Sequence, residues 1–429
     1  MNRRSFAKYV TACLLATGVA PHAWSFFRKK KKKQALAPAP AAPVVNPVTG
    51  AASLRAHGAL ASLAIGCAVI PEILDLEGAR AGQSSDPYTQ TVLDQAAILV
   101  AENEMKWSVL RPSPAGYNFV ASDRLFEFAR ISGKQVRGHN LCWHQQLPSW
   151  FASVATRENA ASLLTQHIQR VAGRYAGRVQ SWDVVNEAVN PLDGRPDGLR
   201  DSPWLRLIGP GYIELAFRTA AQADPQARLT YNEYDIELDT PDQEVKRGQV
   251  LLLLRRLHAR GVPVNSVGIQ SHLQATGPLP GTGLVQFIRQ VASMGMEVYI
   301  TEMDVNAHAV PGDNAAQDEA VADVYRRYLR LVLAEPNVKA ALTWGITDAH
   351  TWLNQTRKAS FERPDGTPQR PLPFDDHYQP VKAFYAMRDA IDSAHVATTR
   401  SAIASQNPTQ PQPFVPFAVP GSPASTPPH

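Results

Sequence analysis

Eight short runs rich in Val, Ile and Leu recur along this chain, separated by longer amphipathic stretches, and that alternation limits the possible folds more than any other feature. The runs fall near Leu63–Val69, Ala97–Ala101, Gln135–Cys142, Val179–Val185, Arg228–Tyr231, Ser266–Gln270, Glu297–Thr301 and Ala340–Gly345. Most lack polar alternation, as expected of strands covered on both faces. Intervening segments read as helices, among them residues 122–133, which start at Ser122-Asp123 and stop at Gly133, and residues 242–261. Eightfold alternation of strand and helix predicts an α/β chain folded as a (β/α)8 TIM barrel, one domain whose site forms at the C-terminal ends of the strands.

Composition bears mainly on the two ends. The formal charge of +5 and pI near 9.0 would suit a nucleic-acid or anionic-surface partner, but residues 1–33 hold nine Lys/Arg and no acid. The remainder carries a net charge of −4, so no nucleic-acid partner is expected. Residues 1–25 combine Arg3-Arg4, Phe6 and Lys8 with a moderately apolar run, which resembles a twin-arginine export signal and implies a periplasmic or extracellular protein. That run is too short to span a bilayer, and no integral membrane segment is expected in the mature chain. Residues 26–49 read as a basic and Ala/Pro-rich linker, 50–393 as the folded body, and 394–429 as a disordered Pro/Ser/Thr-rich tail. Cys67 and Cys142 lie in apolar runs and read as core filler. No His-x-His or repeated Asp/His set supports a metal, and no metal or cofactor is expected.

The strand ends carry the polar residues. In chain order they read AENEMKW (101–107), RGHNLCWHQQLPSW (137–150), WDVVNEA (182–188), TYNEYDIE (230–237), GIQSHL (268–273), ITEMDV (300–305) and WGITDAHTWL (344–353). Carboxylates and amides can bond sugar hydroxyls while indoles stack on pyranose faces, so this mixture on one barrel face suits a carbohydrate. Trp107 and Trp150 each close their motif on the way into a loop and read as packing residues.

These motifs, in this order, resemble glycoside hydrolase family 10, the endo-β-1,4-xylanases, over essentially the whole folded body. The resemblance implies xylan or xylo-oligosaccharide as substrate, with Glu187 as general acid/base and Glu302 as nucleophile. It implies that Asn186 bonds the 2-hydroxyl of the reacting sugar and that Glu102, Asn103, Lys106 and His139 contact sugar on the non-reducing side. Gln146 is carried over as a further sugar contact, and Gln270 is placed near the nucleophile. Trp143, Trp344 and Trp352 would wall the reacting ring and its neighbour, while His272 and Asp304 would hold Glu302. Departures from the family pattern include Asn140, Cys142, Glu233 and Thr351. None removes a catalytic group, and they bear on the product side, where Tyr234 is the expected contact. A monomer is expected.

Glycoside hydrolysis needs one carboxyl to protonate the leaving oxygen and a second to act at the anomeric carbon, and retaining enzymes hold the pair about 5–5.5 Å apart. Strands four and seven of a barrel face each other across its mouth, which sets Glu187 and Glu302 on either side of a substrate. Retention is implied by the family. Two alternatives stay open from the residues: a β-1,4-glucanase on the same barrel, decided by the room near Trp344 and Trp352, and a xylan-binding protein without turnover.

Overall fold

The computed structural model describes residues 48–356 and 360–406, with side chains to Val396. The expected leader (1–25), nearly all of the linker and the last part of the expected tail lie outside these residues.

The described residues form nine strands: β1 (Ala64–Val69), β2 (Ile98–Ala101), β3 (Gln135–His139), β4 (Ser181–Asn186), β5 (Arg228–Glu233), β6 (Ser266–Ile269), β7 (His272–Gln274), β8 (Glu297–Asn306) and β9 (Val338–Thr343). All pairings between them are parallel, and the β1–β9 and β6–β8 ladders close eight of the strands into a ring. With helices between the strands, this is a (β/α)8 barrel.

Alternate residues of each strand serve different layers, which is why the runs are apolar throughout. Ile98 and Val100 group with Ala68, Tyr299, Ala340, Leu342 and Trp344 in a small cluster inside the ring. Their neighbours Leu99 and Ala101 join the larger layer between strands and helices. Each fully buried Leu, Ile or Val contributes roughly 1.5–3 kcal/mol. The interior also holds a buried ion pair between Arg137 and Asp183, with the guanidinium 5.2 Å from the Tyr299 ring. Gly138 is required on β3 because a Cβ there would lie 2.1 Å from the Trp182 ring.

The sequence differs from the structure in five places. The segment after β6 forms a further short strand, β7, outside the ring, and β8 runs on to Asn306 to pair with it. Ser271, at φ 66°, separates β6 from β7. Cys142 lies beyond the end of β3, in a buried turn. The helix expected from Ser122 starts at Val120, because the Ser122 hydroxyl is buried and donates to Phe119 O at 3.2 Å instead of capping an end. It ends as expected at Gly133, whose φ of 65° suits glycine. The helix expected from residue 242 spans Pro241–Ala259, with proline in its first turn and Thr240 as cap.

The fifth difference is at the end of the body. The last helix spans Lys382–Gln406 and so runs thirteen residues beyond the expected boundary at 393, into the segment expected to be disordered. Phe384, Met387 and Ile391 recur on one buried face and anchor it. The residues that follow, through Gln406, contain no proline or glycine that would break it. Near its middle this helix meets the first described α-helix, Leu54–Leu60, where His57 Nδ1 lies 2.5 Å from Asp392 Oδ1. Among the described residues no helix is long and apolar enough to cross a membrane.

Candidate active site

Both carboxylates named from the sequence sit where strand regularity fails. The β4–β5 register shifts between Asp183 and Val185, just before Glu187, and the β8–β9 register shifts between Ile300 and Met303, around Glu302. Irregularities of this kind re-aim a side chain. Glu187 follows the last residue of β4 and adopts φ 57°, a conformation rare for any residue but glycine and concentrated at functional sites.

The two are linked through amides. Asn186 Nδ2 donates to Glu187 Oε1 at 3.1 Å. Asn232 Nδ2 lies 2.9 Å from Asn186 Oδ1 and 2.7 Å from Glu302 Oε1, so one amide serves both sides. Thr301 Oγ1 fixes the orientation of Asn232 by donating to its Oδ1 at 2.7 Å. Gln270 was expected beside the nucleophile. Its main-chain carbonyl does accept from Glu302 N–H at 3.0 Å, but its side-chain amide turns to Glu187 Oε1, at 3.0 Å.

Glu302 has charged company. His272 Nε2 lies 3.3 Å from Oε2, and its Nδ1 lies 2.9 Å from Asp304 Oδ1. The β7–β8 register produces this arrangement by setting His272 directly opposite Asp304. Asp304 Oδ2 accepts the indole N–H of Trp352 at 2.6 Å. Burial alone would raise the Glu302 pKa, but the His272 hydrogen bond and the charges of His139, His272 and Lys106 outweigh it and pull the carboxyl down to about 2. Burial likewise opposes charge on His272, yet Asp304 and Glu302 raise its pKa well above the usual histidine value. His139 is held by Asp183, its Nδ1 3.0 Å from Oδ2 and 3.9 Å from Glu302 Oε1.

The remaining expected residues form a wall beside this pair. Lys106 Nζ donates to Asn103 Oδ1 at 2.9 Å and sits 5.4 and 5.6 Å from the ring centres of Trp143 and Trp344. Trp344 meets the edge of His139 at 5.3 Å, and Trp352 meets His272 at 5.4 Å. Glu102 is buried beside Lys106, and burial, opposed by the Lys106 charge, pushes it up to about 7. The Trp143 indole N–H is buried with no hydrogen-bond partner among the described residues. Gln146 stands apart: its side chain accepts from Ser108 Oγ at 3.4 Å and makes no hydrogen bond to either carboxylate. Trp107 and Trp150 spend their indole donors on the carbonyls of Leu141 and Arg111, in keeping with packing roles.

Tyr234 reaches the site through a residue the sequence reading passed over. Arg200 donates to the Tyr234 hydroxyl at 2.8 Å and to the Glu187 main-chain carbonyl at 2.7 Å. Asn232 and Asp183 were also passed over. Asn232 had a signal, an amide at a strand end inside TYNEYDIE, whereas Arg200 and Asp183 had none, because an arginine in a loop and an aspartate inside an apolar strand point to no partner until the chain is folded.

Comparison with known proteins bears on the fold and the family. The chain is 35% identical over 295 residues to a β-1,4-xylanase of Dictyoglomus thermophilum, covering 67% of this chain and 80% of that protein. Its structure matches native xylanase 10B of Thermotoga maritima with a TM-score of 0.70 and 34% identity, over 80% of this chain and 99% of the other. It matches xylanase 10B of Thermotoga petrophila RKU-1 in complex with xylobiose equally well, with a TM-score of 0.70 and 33% identity over 80% and 98% of the two chains. The model of glycosyl hydrolase family 10 covers residues 60–390, the whole ring of strands with every residue of the site, and the chain belongs to that family.

Proposed function

We propose that this protein is a retaining endo-β-1,4-xylanase that cleaves internal bonds of xylan by double displacement, with Glu302 as nucleophile and Glu187 as general acid and then general base. One observation carries the division of roles. Glu302 is held ionised to about 2 by cationic neighbours, whereas the side-chain hydrogen bonds to Glu187 come from the neutral amides of Asn186 and Gln270. An anion ready to attack thus faces a carboxyl whose hydrogen-bonding neighbours carry no charge.

In the first step Glu187 protonates the glycosidic oxygen as Glu302 attacks the anomeric carbon. The C–O bond to the leaving sugar breaks and a glycosyl ester forms on Glu302. In the second, Glu187 takes a proton from water, which attacks the same carbon and frees Glu302. Two inversions give net retention. Asn186, beside both carboxylates, is suited to the 2-hydroxyl, and Lys106, Asn103, Glu102 and His139 line the non-reducing side with Trp143, Trp344 and Trp352.

Glu187→Ala tests the assignment. Acid help matters only for a poor leaving group, so this variant should lose on the order of 10³-fold on xylan yet still form the glycosyl ester from an aryl xylobioside with an acidic phenol. Azide should then restore turnover and yield the β-azide. An α-azide, or equal loss on both substrates, would sink the assignment. New reducing ends released from xylan but not from carboxymethylcellulose separate a xylanase from a β-1,4-glucanase. Export is proposed from the Arg3-Arg4 leader alone. Replacing both by lysine should keep the protein in the cytoplasm, since the pair is read as guanidinium groups and not as charge.

A further inference from the structure

The loop that follows Glu187 turns back on itself through an antiparallel bridge between Val189 and Leu199, and this brings Arg200 under the carboxyl-bearing residue. Arg200 is 4% exposed. Its own N–H donates to Ala188 O at 2.7 Å, which fixes the loop, and its Nε donates to Glu187 O at 2.7 Å. The Glu187 N–H donates to Asn232 O at 2.9 Å. The left-handed backbone of Glu187 is thus held at both of its polar groups, one by a strand and one by a guanidinium.

The other arm of that guanidinium, Nη2, donates to the Tyr234 hydroxyl at 2.8 Å. Tyr234 is also fixed from its opposite side. Lys246 Nζ lies 3.7 Å from the ring centre and 2.9 Å from Glu233 Oε1. Glu233 is fully buried and accepts from Tyr231 Oη, Val189 N–H and Tyr234 N–H. A planar guanidinium with two separate arms can hold two groups in fixed relation, which the single ammonium of lysine cannot.

We propose that Arg200 is a positioning residue that couples the aim of the Glu187 carboxyl to the leaving-group platform, Tyr234. This rests on Glu187 being the acid/base. A sugar pressing on Tyr234 and the proton donor that serves its oxygen are then set by one side chain, so that binding on the leaving-group side and proton transfer rise and fall together.

The test compares kcat/KM, which reports formation of the glycosyl enzyme, for two aryl xylobiosides: one releasing unsubstituted phenol and one releasing dinitrophenol. Arg200→Gln should fall on the order of 100-fold on the phenyl substrate and less than about fivefold on the dinitrophenyl one, because only the first needs an acid. Tyr234→Phe cuts one arm and leaves the ring, and should show the same pattern at about three- to tenfold. The double variant should lose less than the product of the two, since both break one connection. Equal losses on both substrates in Arg200→Gln, as a purely structural role would give, overturn the proposal. If Arg200→Gln does not fold, Tyr234→Phe decides alone: a loss independent of the leaving group overturns the coupling. Glu187→Ala run alongside separates the two levels. Leaving-group dependence there but not in Arg200→Gln removes only the role of Arg200, whereas its absence in Glu187→Ala removes the acid/base assignment and the coupling with it.

Discussion

Each candidate catalytic carboxylate has beside it a histidine with a clearly shifted pKa, and the two shifts run in opposite directions. His144 Nδ1 lies 3.9 Å from Glu187 Oε2, and burial, reinforced by the charges of Arg200 and Lys246 against that of Glu233, pushes it down to about 3. His272 lies 3.3 Å from Glu302 Oε2 and is raised well above the usual value, because Asp304 and Glu302 overcome its burial. The same pair of side-chain types therefore gives a neutral imidazole beside Glu187 at neutral pH and an imidazolium beside Glu302. The difference comes from what burial meets at each ring: at His144 the charges of Arg200 and Lys246 add to it, whereas at His272 the carboxylates of Asp304 and Glu302 overcome it. A carboxylate on the far side of a histidine turns it into a charge that acts on the near side.

The hardest test of that contrast is Glu302→Ala. No leaving group compensates for a missing nucleophile, so activity should fall on the order of 10⁵-fold on xylan and on the activated aryl xylobioside alike. Residual turnover on the activated substrate comparable to that of Glu187→Ala would erase the distinction between the two sides. Asn186→Ala removes the amide between them and should lower kcat on the order of 100-fold with a smaller change in KM, since hydrogen bonds to the 2-hydroxyl strengthen in the transition state. A rise in KM alone would make Asn186 a ground-state contact.

His272→Asn addresses the charge itself. Glu302 must be ionised to attack, and its pKa near 2 keeps it ionised far into the acid range. Without the imidazolium, burial gains the upper hand and the Glu302 pKa rises. The acid limb of kcat/KM on the aryl xylobioside should therefore move to higher pH, with a loss of about tenfold at neutral pH. A limb that stays in place would show that Lys106 and His139 suffice. His144→Asn should do far less, about threefold or under, and leave that limb alone, because an already neutral ring takes no charge with it. The smallest effect is expected outside the site. Ending the chain after Val396 keeps Phe384, Met387 and Ile391 and should change stability by no more than about 0.5 kcal/mol in a denaturant melt.

How much of this was legible in the sequence depended on whether a signal was local. The ring of strands was, because a strand buried on both faces writes an unbroken apolar run, as at Ile98–Ala101. Glu187, Glu302 and the tryptophans were too, since each stands in a motif at a strand end. What escaped depended on pairing. β7 is three residues long, too short for any periodicity, and it exists because β8 extends far enough to receive it. The turned amide of Gln270 and the two arms of Arg200 depend on side chains that come together from three different loops and strands. The helical continuation past residue 393 escapes for a different reason: polar composition reads as disorder, although no proline or glycine through Gln406 interrupts a helix already anchored at Ile391.

The contact between His57 and Asp392 has a practical consequence. It joins the helix that leads into β1 to the middle of the helix that returns from β9, so the segments entering and leaving the folded body pack side by side, near the start of β1. The carboxylates sit at the other rim. A surface, resin or fused domain attached at either end would therefore hold the molecule with its cleft facing outward, open to a long polymer passing across it. Joining the two ends through a short linker and reopening the chain in an exposed helix-to-strand turn should likewise give a permuted enzyme with its catalytic rim intact.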